Sequence, residues 1–352
     1  MPARCNESLS FSAVRVFWWI GGRVACDADR VKRAICYLVV AACGSSGNSN
    51  VDASSGDAPH TGDGPAANTR TIFVIPMENE PSSAIYGNTT DAPYINGLFA
   101  NGAHTTMFTD ELPALLSEPH YVWMEAGTNV FSDRTFASDS VPSTSNSTAS
   151  TAHLVTQLDT AHVPWMSYQQ GITSNTCPVA ATGAFAPKHD PFVFFTDVSG
   201  SPPSASNQRC AAHHKAYSDF AHDLQAGLSG YVFITPDLCH DMHGDAQCTQ
   251  GTAVAANIKA GDTWLSTELP AIISYTQTHD ALIFLTWDEG DASNLIPFIV
   301  IGKNVTAGGT SAVMYTHSSM LKSTEEYLGV PVLPSVSGAA DFAGLFQAGT
   351  FP

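Results

Sequence analysis

Two apolar runs, each followed at once by acidic side chains, constrain the fold of this chain more than any other feature. They cover residues 72–75 and 281–287 and are continuously apolar or β-branched. Such runs predict strands buried on both faces of a sheet, because a half-exposed strand would alternate with polar residues. Proline cannot donate a ladder hydrogen bond, so we expect the first strand to end at Pro76.

The polar residues that follow these runs are the first candidate site. Glu78 and Asn79 follow the first run, and Asp288 and Glu289 follow the second. Open α/β sheets bind ligands beyond the carboxyl ends of their strands, where these four side chains would meet and could hold one divalent metal ion. Two simpler interpretations stay open: Glu78 and Asn79 could cap a following helix, and residues 288–291 could form a solvated turn.

Further elements alternate along the chain. Predicted helices cover residues 91–102, 117–124, 152–161, 217–227, 261–279 and 318–328. Predicted strands cover 163–168, 231–235 and 298–301, and the apolar run 192–195 also fits a strand. Residues 128–151, rich in Ser, Thr, Asn and Asp, are predicted to form a long loop. This alternation predicts an α/β fold, with a mostly parallel central sheet and helices on both faces.

Charge narrows the possible partners. The formal net charge of the 352 residues is −18, while 44% of them are hydrophobic, which is enough for a large core. An acidic surface repels nucleic acid and offers no basic patch to anionic lipid. We therefore expect no nucleic-acid partner, and an anionic substrate only where a metal ion or a local cluster of donors offsets the charge.

The N-terminal segment predicts export. Basic residues at 30–33 precede an apolar run at 34–42 that is too short to span a bilayer, and Cys43 follows it. Residues 1–43 resemble a bacterial lipoprotein signal, which implies a lipid anchor on Cys43. An ordinary secretory signal is the alternative. Residues 44–70 contain few large apolar side chains and are expected to form a flexible tether, which leaves 71–352 as the catalytic domain.

Four cysteines follow Cys43, and an even number in an exported chain suggests two disulfides. We expect Cys239 to pair with Cys248 across a short loop, which leaves Cys177 with Cys210. A zinc site is the competing interpretation, but the sequence has no Cys-x-x-Cys spacing among these residues.

Ser117 is the candidate nucleophile. We expect Ser117 at the N-cap of a predicted helix, whose free N–H groups and dipole favour an anion. A serine needs such an environment to attack phosphorus. Plain N-capping of the helix by Ser117 is a serious alternative. His189, His243 and His317 lie in polar clusters near predicted strand ends and could transfer protons, although His243 could equally be a structural histidine of the disulfide loop.

Four motifs in order carry a family resemblance. They are Met-Glu-Asn at 77–79, Ala-Pro-Tyr-Ile-Asn-Gly-Leu at 92–98, Leu-Cys-His-Asp-Met-His at 238–243 and Thr-Trp-Asp-Glu-Gly-Asp at 286–291. Together they resemble the phosphoesterase family of bacterial phospholipases C and acid phosphatases, from about residue 71 to residue 346. The resemblance implies an alkaline-phosphatase-like three-layer sandwich.

By the same resemblance, the metal ligands would be Glu78, Asn79, Asp288 and Glu289. Ser117 would ligate the metal and attack phosphorus, and His189, His243 and His317 would lie near the phosphate. The implied activity is acid-phosphatase-like, metal-dependent hydrolysis of phosphoric esters at the bacterial cell envelope or outside the cell. The metal could be Ca, Mg, Mn, Zn or Fe. A phospholipase C-type phosphodiesterase is one alternative.

The serine segment departs from the family pattern Pro-Ser-Leu-Pro-Asn-Tyr. Residues 116–121 read Leu-Ser-Glu-Pro-His-Tyr, so Glu118 would place a negative charge beside the expected anion site. This departure motivates a second alternative, a surface-anchored binding protein of the same fold without turnover.

Overall fold

A computed structural model describes residues 69–352, and all structural statements below refer to this part of the chain. One eight-stranded sheet runs through it in the order β4-β3-β5-β1-β6-β7-β2-β8. The strands are β1 (Thr71–Met77), β2 (Ala103–Thr105), β3 (Trp165–Gln169), β4 (His214–Ala216), β5 (Gly230–Thr235), β6 (Ala281–Trp287), β7 (Phe298–Gly302) and β8 (Gly309–Ser311). Only the β6–β7 and β7–β2 pairs are antiparallel, so the predicted mostly parallel sheet is confirmed.

Nine α-helices surround the sheet in the described region. They are α1 (Ser82–Ile85), α2 (Pro93–Leu98), α3 (Ser117–Ala126), α4 (Leu154–Thr160), α5 (Thr196–Ser199), α6 (Gln208–Ala212), α7 (Phe220–Ala226), α8 (Val254–Thr278) and α9 (His317–Leu328). Short 3-10 helices cover Pro187–His189, Pro191–Phe194, Tyr217–Asp219 and Phe342–Leu345. No helix in residues 69–352 combines the length and apolarity that crossing a membrane requires.

The aromatic contacts of β1 and β5 show that helices cover both faces of the sheet. Phe73 on β1 meets the rings of Phe220 in α7 and Tyr275 in α8. The next residue, Val74, is in register with Phe233 of β5, and Phe233 contacts Tyr121 of α3. Successive strand side chains point to opposite faces, so α3 lies across the sheet from α7 and α8. The three-layer arrangement is therefore confirmed.

Strand β1 lies at the centre of the sheet, and every residue of β1 and of β6 is buried, as the continuous apolar runs predicted. The expected end of β1 at Pro76 is wrong by one residue. Beyond Val74, β1 has register partners only on β6, so the missing N–H of Pro76 lies where β5 no longer pairs.

Two other local predictions are wrong. The apolar run 192–195 lies largely in a 3-10 helix rather than a strand, and its phenylalanines are buried beside α3 and the sheet. Ser117 is the first residue of α3 and not its N-cap, a position held by Leu116. The segment 128–151 contains no helix or strand, as expected for a long loop.

Both predicted disulfides are present, Cys177–Cys210 and Cys239–Cys248. Cys43, the signal segment and all but the last two residues of the predicted tether lie outside the described residues, so those assignments stay predictions.

Candidate active site

The pairing of β1 with β6 brings the two predicted acidic segments to the same edge of the sheet. Met77 is in register with Trp287, so Glu78 and Asp288 leave their strands at the same level. The backbone N–H of Asn79 donates to Asp288 Oδ1 at 3.0 Å. Carboxylates 210 positions apart in sequence therefore lie side by side.

A third segment joins them after β5, the other neighbour of β1. The backbone N–H of Glu78 donates to the carbonyl of Asp241 at 2.8 Å. The side chains of Glu78, Asp241 and Asp288 are all fully buried. The segments that follow the carboxyl ends of three adjacent parallel strands, β5, β1 and β6, thus converge on Glu78. This edge of the sheet is where ligands bind in open α/β sheets.

Helix α3 approaches Glu78 from one face of the sheet. Ser117 Oγ donates to Glu78 Oε2 at 3.1 Å, and Tyr121 Oη donates to Glu78 Oε1 at 2.6 Å. Residues four apart lie on the same side of a helix, which is why both hydroxyls reach one carboxylate. Leu116 occupies the N-cap and Ser117 Oγ donates to Glu78, so plain N-capping does not explain Ser117.

His189 lies between two of the carboxylates. Its Nε2 is 3.2 Å from Glu78 Oε1, and its Nδ1 is 3.3 Å from Asp241 Oδ2. The Tyr121 ring stacks on the imidazole with centroids 5.0 Å apart. His189 Nε2, Asp241 Oδ2 and Asp288 Oδ2 are nevertheless buried atoms without a hydrogen-bond partner. Such orphaned atoms are costly unless a further group satisfies them.

Burial and mutual repulsion disfavour the charged forms of these acids. Burial, together with the charges of Asp288 and Asp241, raises the pKa of Glu78 well above its ordinary value. Burial likewise raises the pKa of Asp241. Burial and the nearby Lys188 ammonium hold the pKa of His189 well below its ordinary value, so its imidazole is neutral. A neutral imidazole beside crowded carboxylates is the state that binds a metal ion.

The residues present therefore fit a divalent cation. One ligand atom each from Glu78, His189 and Asp241 lies within 4.8 Å of the others, and all three residues are buried. Asp288, whose Oδ2 is also orphaned, adds a further buried carboxylate whose charge acts on Glu78. Carboxylates with one imidazole suit hard or borderline divalent ions.

The four predicted ligands are placed differently from one another. Glu78 belongs to the buried group, and Asp288 adjoins it. Asn79 approaches Asp288 through its backbone, in a left-handed conformation with φ 62°. Glu289 is partly exposed, and burial and the charge of Asp288 raise its pKa to about 8. His189 and Asp241, in contrast, occupy ligand-like positions that the sequence analysis did not assign to the metal.

Lys188 lies beside Ser117. Its Nζ donates to Asp139 Oδ2 at 2.7 Å and approaches Ser117 Oγ at 3.4 Å and His243 Nε2 at 3.2 Å. Burial would lower the pKa of Lys188, but the Glu78 and Asp139 carboxylates outweigh it and raise that pKa. His243 is fixed by a bond between Nδ1 and the Gly244 carbonyl at 2.7 Å, so Nε2 is the nitrogen that faces the site.

His317 lies on the β6 side of the site. Its Nε2 is 2.9 Å from the carbonyl of Trp287, the residue before Asp288. Burial and the neighbouring positive charge of His120 lower the pKa of His317 to about 4, so it is neutral. His120 itself contacts Asp110 at 2.9 Å, and although burial opposes its charge, Asp110 raises its pKa to about 9.

The Glu118 carboxylate does not lie beside the anion site, where the sequence predicted it, because it points into the long loop. Glu118 Oε2 accepts from the Ser140 backbone N–H at 2.6 Å, and Oε1 accepts from the Asn146 amide at 3.0 Å. Burial raises the pKa of Glu118 to about 7. The departure at this position thus anchors the loop 128–151 to α3 rather than occupying the site.

The capping interpretation of the first acidic segment is wrong. Helix α1, which follows Glu78 and Asn79, has Pro81 at its N-cap and no side-chain capping bond. The solvated-turn interpretation of residues 288–291 is wrong for Asp288, which is fully buried, but it fits Asp291, which is exposed and accepts from the Ser293 N–H at 2.9 Å.

Sequence reasoning missed Asp241, Tyr121 and Lys188. Two of them carried a signal. Asp241 follows β5 much as Glu78 and Asp288 follow their strands, and Tyr121 lies four residues after Ser117 in a predicted helix. Lys188 lies in a 3-10 turn within an irregular segment and carried no such signal.

Comparison with known proteins points to one family. The Phosphoesterase family model matches residues 114–331. The chain is similar to the phosphatidylinositol-3-phosphatase of Mycobacterium tuberculosis, with 28% identity over 263 residues that cover 74% of this chain and 77% of that protein. It is also similar to the phosphate-repressible acid phosphatase of Penicillium chrysogenum, with 27% identity over 187 residues. Those residues cover 50% of this chain but only 42% of that relative.

The fold has a counterpart among solved structures. A protein of the alkaline phosphatase superfamily from Vibrio parahaemolyticus superimposes with a TM-score of 0.51, over 78% of this chain and 69% of its own. The sequence identity is 11%, so this likeness concerns the fold alone.

Proposed function

Because the chain belongs to the Phosphoesterase family and is a phosphoric ester hydrolase, we propose that it is a metal-dependent phosphatase in which Ser117 attacks phosphorus. The observation that carries this proposal is the position of Ser117 Oγ. It lies at the start of α3, 3.1 Å from Glu78 Oε2 and 3.4 Å from Lys188 Nζ. A proton acceptor and a positive charge on either side of a hydroxyl are what a weak nucleophile requires.

The cation would be held by Glu78, Asp241 and His189, with Asp288 as a further buried carboxylate. When bound, it would supply positive charge against the phosphate oxygens and lower the pKa of a hydroxyl in contact with it. The buried orphaned atoms of Asp288, Asp241 and His189 support its presence. Tyr121 holds Glu78 in place through its 2.6 Å hydrogen bond.

Glu78 takes the proton of the attacking serine. Ser117 Oγ forms a bond to phosphorus while the ester P–O bond breaks, and the hydroxyl proton passes to Glu78 Oε2 along the existing hydrogen bond. The departing oxygen takes its proton from solvent, because His243 Nδ1 donates to the Gly244 carbonyl and leaves Nε2 as an acceptor beside the Lys188 ammonium. Water then attacks the phosphoserine, the Ser117–phosphorus bond breaks, Glu78 returns the proton to Oγ, and phosphate leaves with the protons of the water.

A monoester is the substrate class we propose, because the two relatives above are named as phosphatases. The alternative of a binding protein without turnover was motivated by the altered serine segment. One of the changes in that segment, Glu118, binds the loop with its carboxylate and not the site. A phosphodiesterase remains distinguishable by experiment.

The test uses purified protein with p-nitrophenyl phosphate and bis-p-nitrophenyl phosphate, with and without a chelator. We expect hydrolysis of the monoester, its loss on chelation, and its recovery with a divalent metal. Ser117→Ala should abolish turnover, while Ser337→Ala, at an exposed serine bonded to Pro334, should not. Preferred hydrolysis of the diester would favour the phosphodiesterase. Full activity of Ser117→Ala would contradict the proposal.

A further inference from the structure

Lys188 is bound on three sides by groups of the site. Its Nζ lies 2.7 Å from Asp139 Oδ2, 3.2 Å from His243 Nε2 and 3.4 Å from Ser117 Oγ. An ammonium group has three N–H donors and no acceptor, so each neighbour can receive one of them. The lysine is thus oriented by its contacts and does not extend freely into solvent, since only 18% of its side chain is exposed.

The hydrogen bonds of Ser117 define which side of the hydroxyl faces the lysine. The single hydroxyl proton points to Glu78 Oε2, so the Lys188 ammonium approaches a lone pair of Oγ. A reacting atom must come within about 3–3.5 Å of its nucleophile. Oγ has a second lone pair. A phosphorus atom in line with that second lone pair places a non-bridging oxygen near Nζ, and the N–H that approaches Oγ at 3.4 Å can turn to this oxygen.

Asp139 connects this lysine to the long loop and to α3. Its Oδ2 accepts from Lys188, and its Oδ1 accepts from the backbone N–H of Glu118 at 3.0 Å. The neighbouring Ser140 N–H is held by the Glu118 carboxylate. The loop residue that orients the ammonium is therefore fixed at two points to the helix that carries Ser117.

We propose that Lys188 binds a non-bridging phosphoryl oxygen of the substrate, and that Asp139 is the positioning residue that aims its ammonium. The inference rests on the proposed attack by Ser117, and it assigns a role to a side chain other than the proposed metal ligands. A structural ion pair is the competing explanation, and partly exposed pairs of this kind contribute little to stability.

The experiment measures binding of inorganic phosphate by isothermal titration calorimetry, with metal-loaded and with chelated protein, together with kcat and KM for p-nitrophenyl phosphate. We expect Lys188→Gln to weaken phosphate binding by about 10-fold or more and to lower kcat/KM by about 100-fold. Lys188→Arg should retain most of the phosphate affinity, because the charge is kept.

Asp139→Asn can still accept from the Glu118 N–H but loses the ionic contact with Lys188. We expect it to raise KM and the phosphate Kd by about 3- to 10-fold with a smaller change in kcat. The control is Lys322→Gln, at a lysine that contacts Glu326 and the Ala339 carbonyl, and both quantities should stay within twofold of wild type. Circular dichroism checks that each variant is folded.

Ser117→Ala separates this inference from the proposed function, because it should still bind phosphate. If wild-type protein binds phosphate through Lys188 but hydrolyses nothing, the inference on Lys188 stands and the proposed function fails. If folded Lys188→Gln binds phosphate as wild type does, the inference is overturned, whatever its activity. Wild-type protein that binds no phosphate with metal present would overturn it as well.

Discussion

The hydroxyl groups of Ser117 and Tyr121 donate to the two different oxygens of one buried carboxylate, that of Glu78. One turn of α3 separates the two donors. The side chain proposed to accept the Ser117 proton is thus held by a second hydroxyl of the same helix, and the His189 ring is stacked on that tyrosine. A substitution at Tyr121 should therefore lower the activity although the nucleophile Ser117 is unchanged.

Tyr121→Phe tests this arrangement. The hydrogen bond from Tyr121 lowers the pKa of Glu78 against the larger effect of burial, so its loss should make ionised Glu78 less favourable. We expect weaker metal binding and a fall in kcat/KM of about 10-fold. Tyr168→Phe is the matched control, since that buried tyrosine donates to Asp223 instead. Metal titration and steady-state kinetics measure both effects, and equal behaviour of the two variants would contradict the expectation.

Metal removal should lower the free energy of unfolding of the protein, and the size of this effect should change in Asp288→Asn. At a metal concentration 100 times Kd, binding to the native state alone adds about 2.7 kcal/mol to the free energy of unfolding. Asp288→Asn keeps the shape and can still accept from the Asn79 N–H, but it removes one of the crowded charges. We expect this variant to be more stable than wild type without metal and to gain less from added metal. Thermal unfolding with chelator and with divalent salts measures both; a wild-type Tm unaffected by chelator would argue against a metal site.

A pH effect is expected from Glu325, remote from the proposed ligands in sequence. It is fully buried, its Oε2 has no partner, and burial together with the Glu125 charge raises its pKa to about 8. Its protonated form is the favoured one in the native state. Its contribution to stability is therefore complete below the ordinary pKa of about 4.5 and is lost as the pH rises through about 8.

Glu325→Gln should remove that dependence, because a glutamine can still accept from the Leu333 N–H. At pH 8 we expect the variant to be more stable than wild type by about 1 kcal/mol, and at pH 5 the difference should be small. Urea unfolding at the two pH values measures the change. A difference that is the same at both would show that Glu325 does not titrate in this range.

The lipid anchor is a prediction about residues outside the described part of the chain. If Cys43 is the acylated residue, full-length protein expressed in a bacterial host should incorporate labelled palmitate and partition into detergent. Cys43→Ser should lose both properties, while Cys36→Ser, inside the apolar run, should keep them. Labelling of Cys43→Ser at the wild-type level would contradict the assignment.

The sheet and its acidic edge could be predicted because β1 and β6 are long, continuously apolar and followed directly by polar residues. Strands β2, β4 and β8 have three residues each, too few for a periodic signal. The strand prediction for residues 192–195 was wrong because a short run of buried aromatic residues fits a strand and a 3-10 helix equally well.

The candidate site was less predictable than the sheet, since it depends on where irregular segments bring side chains. The resemblance placed Glu78, Ser117 and Asp288 in one region, and the structure brings them together. It did not indicate that His189 lies between Glu78 and Asp241. Nor did it indicate that Asp139 of the long loop contacts Lys188. These contacts depend on tertiary packing that no local pattern encodes.

The full seven-residue pairing of β1 with β6 limits where insertions and deletions can be tolerated. Surface loops between the other elements can change in length without moving these two acids, because the register of β1 and β6 decides where Glu78 and Asp288 emerge. Within either strand, loss of one residue would turn its acid to the opposite face, and loss of two would withdraw it by about 6.6 Å. Length variation among relatives should therefore concentrate in the connections and spare these two strands.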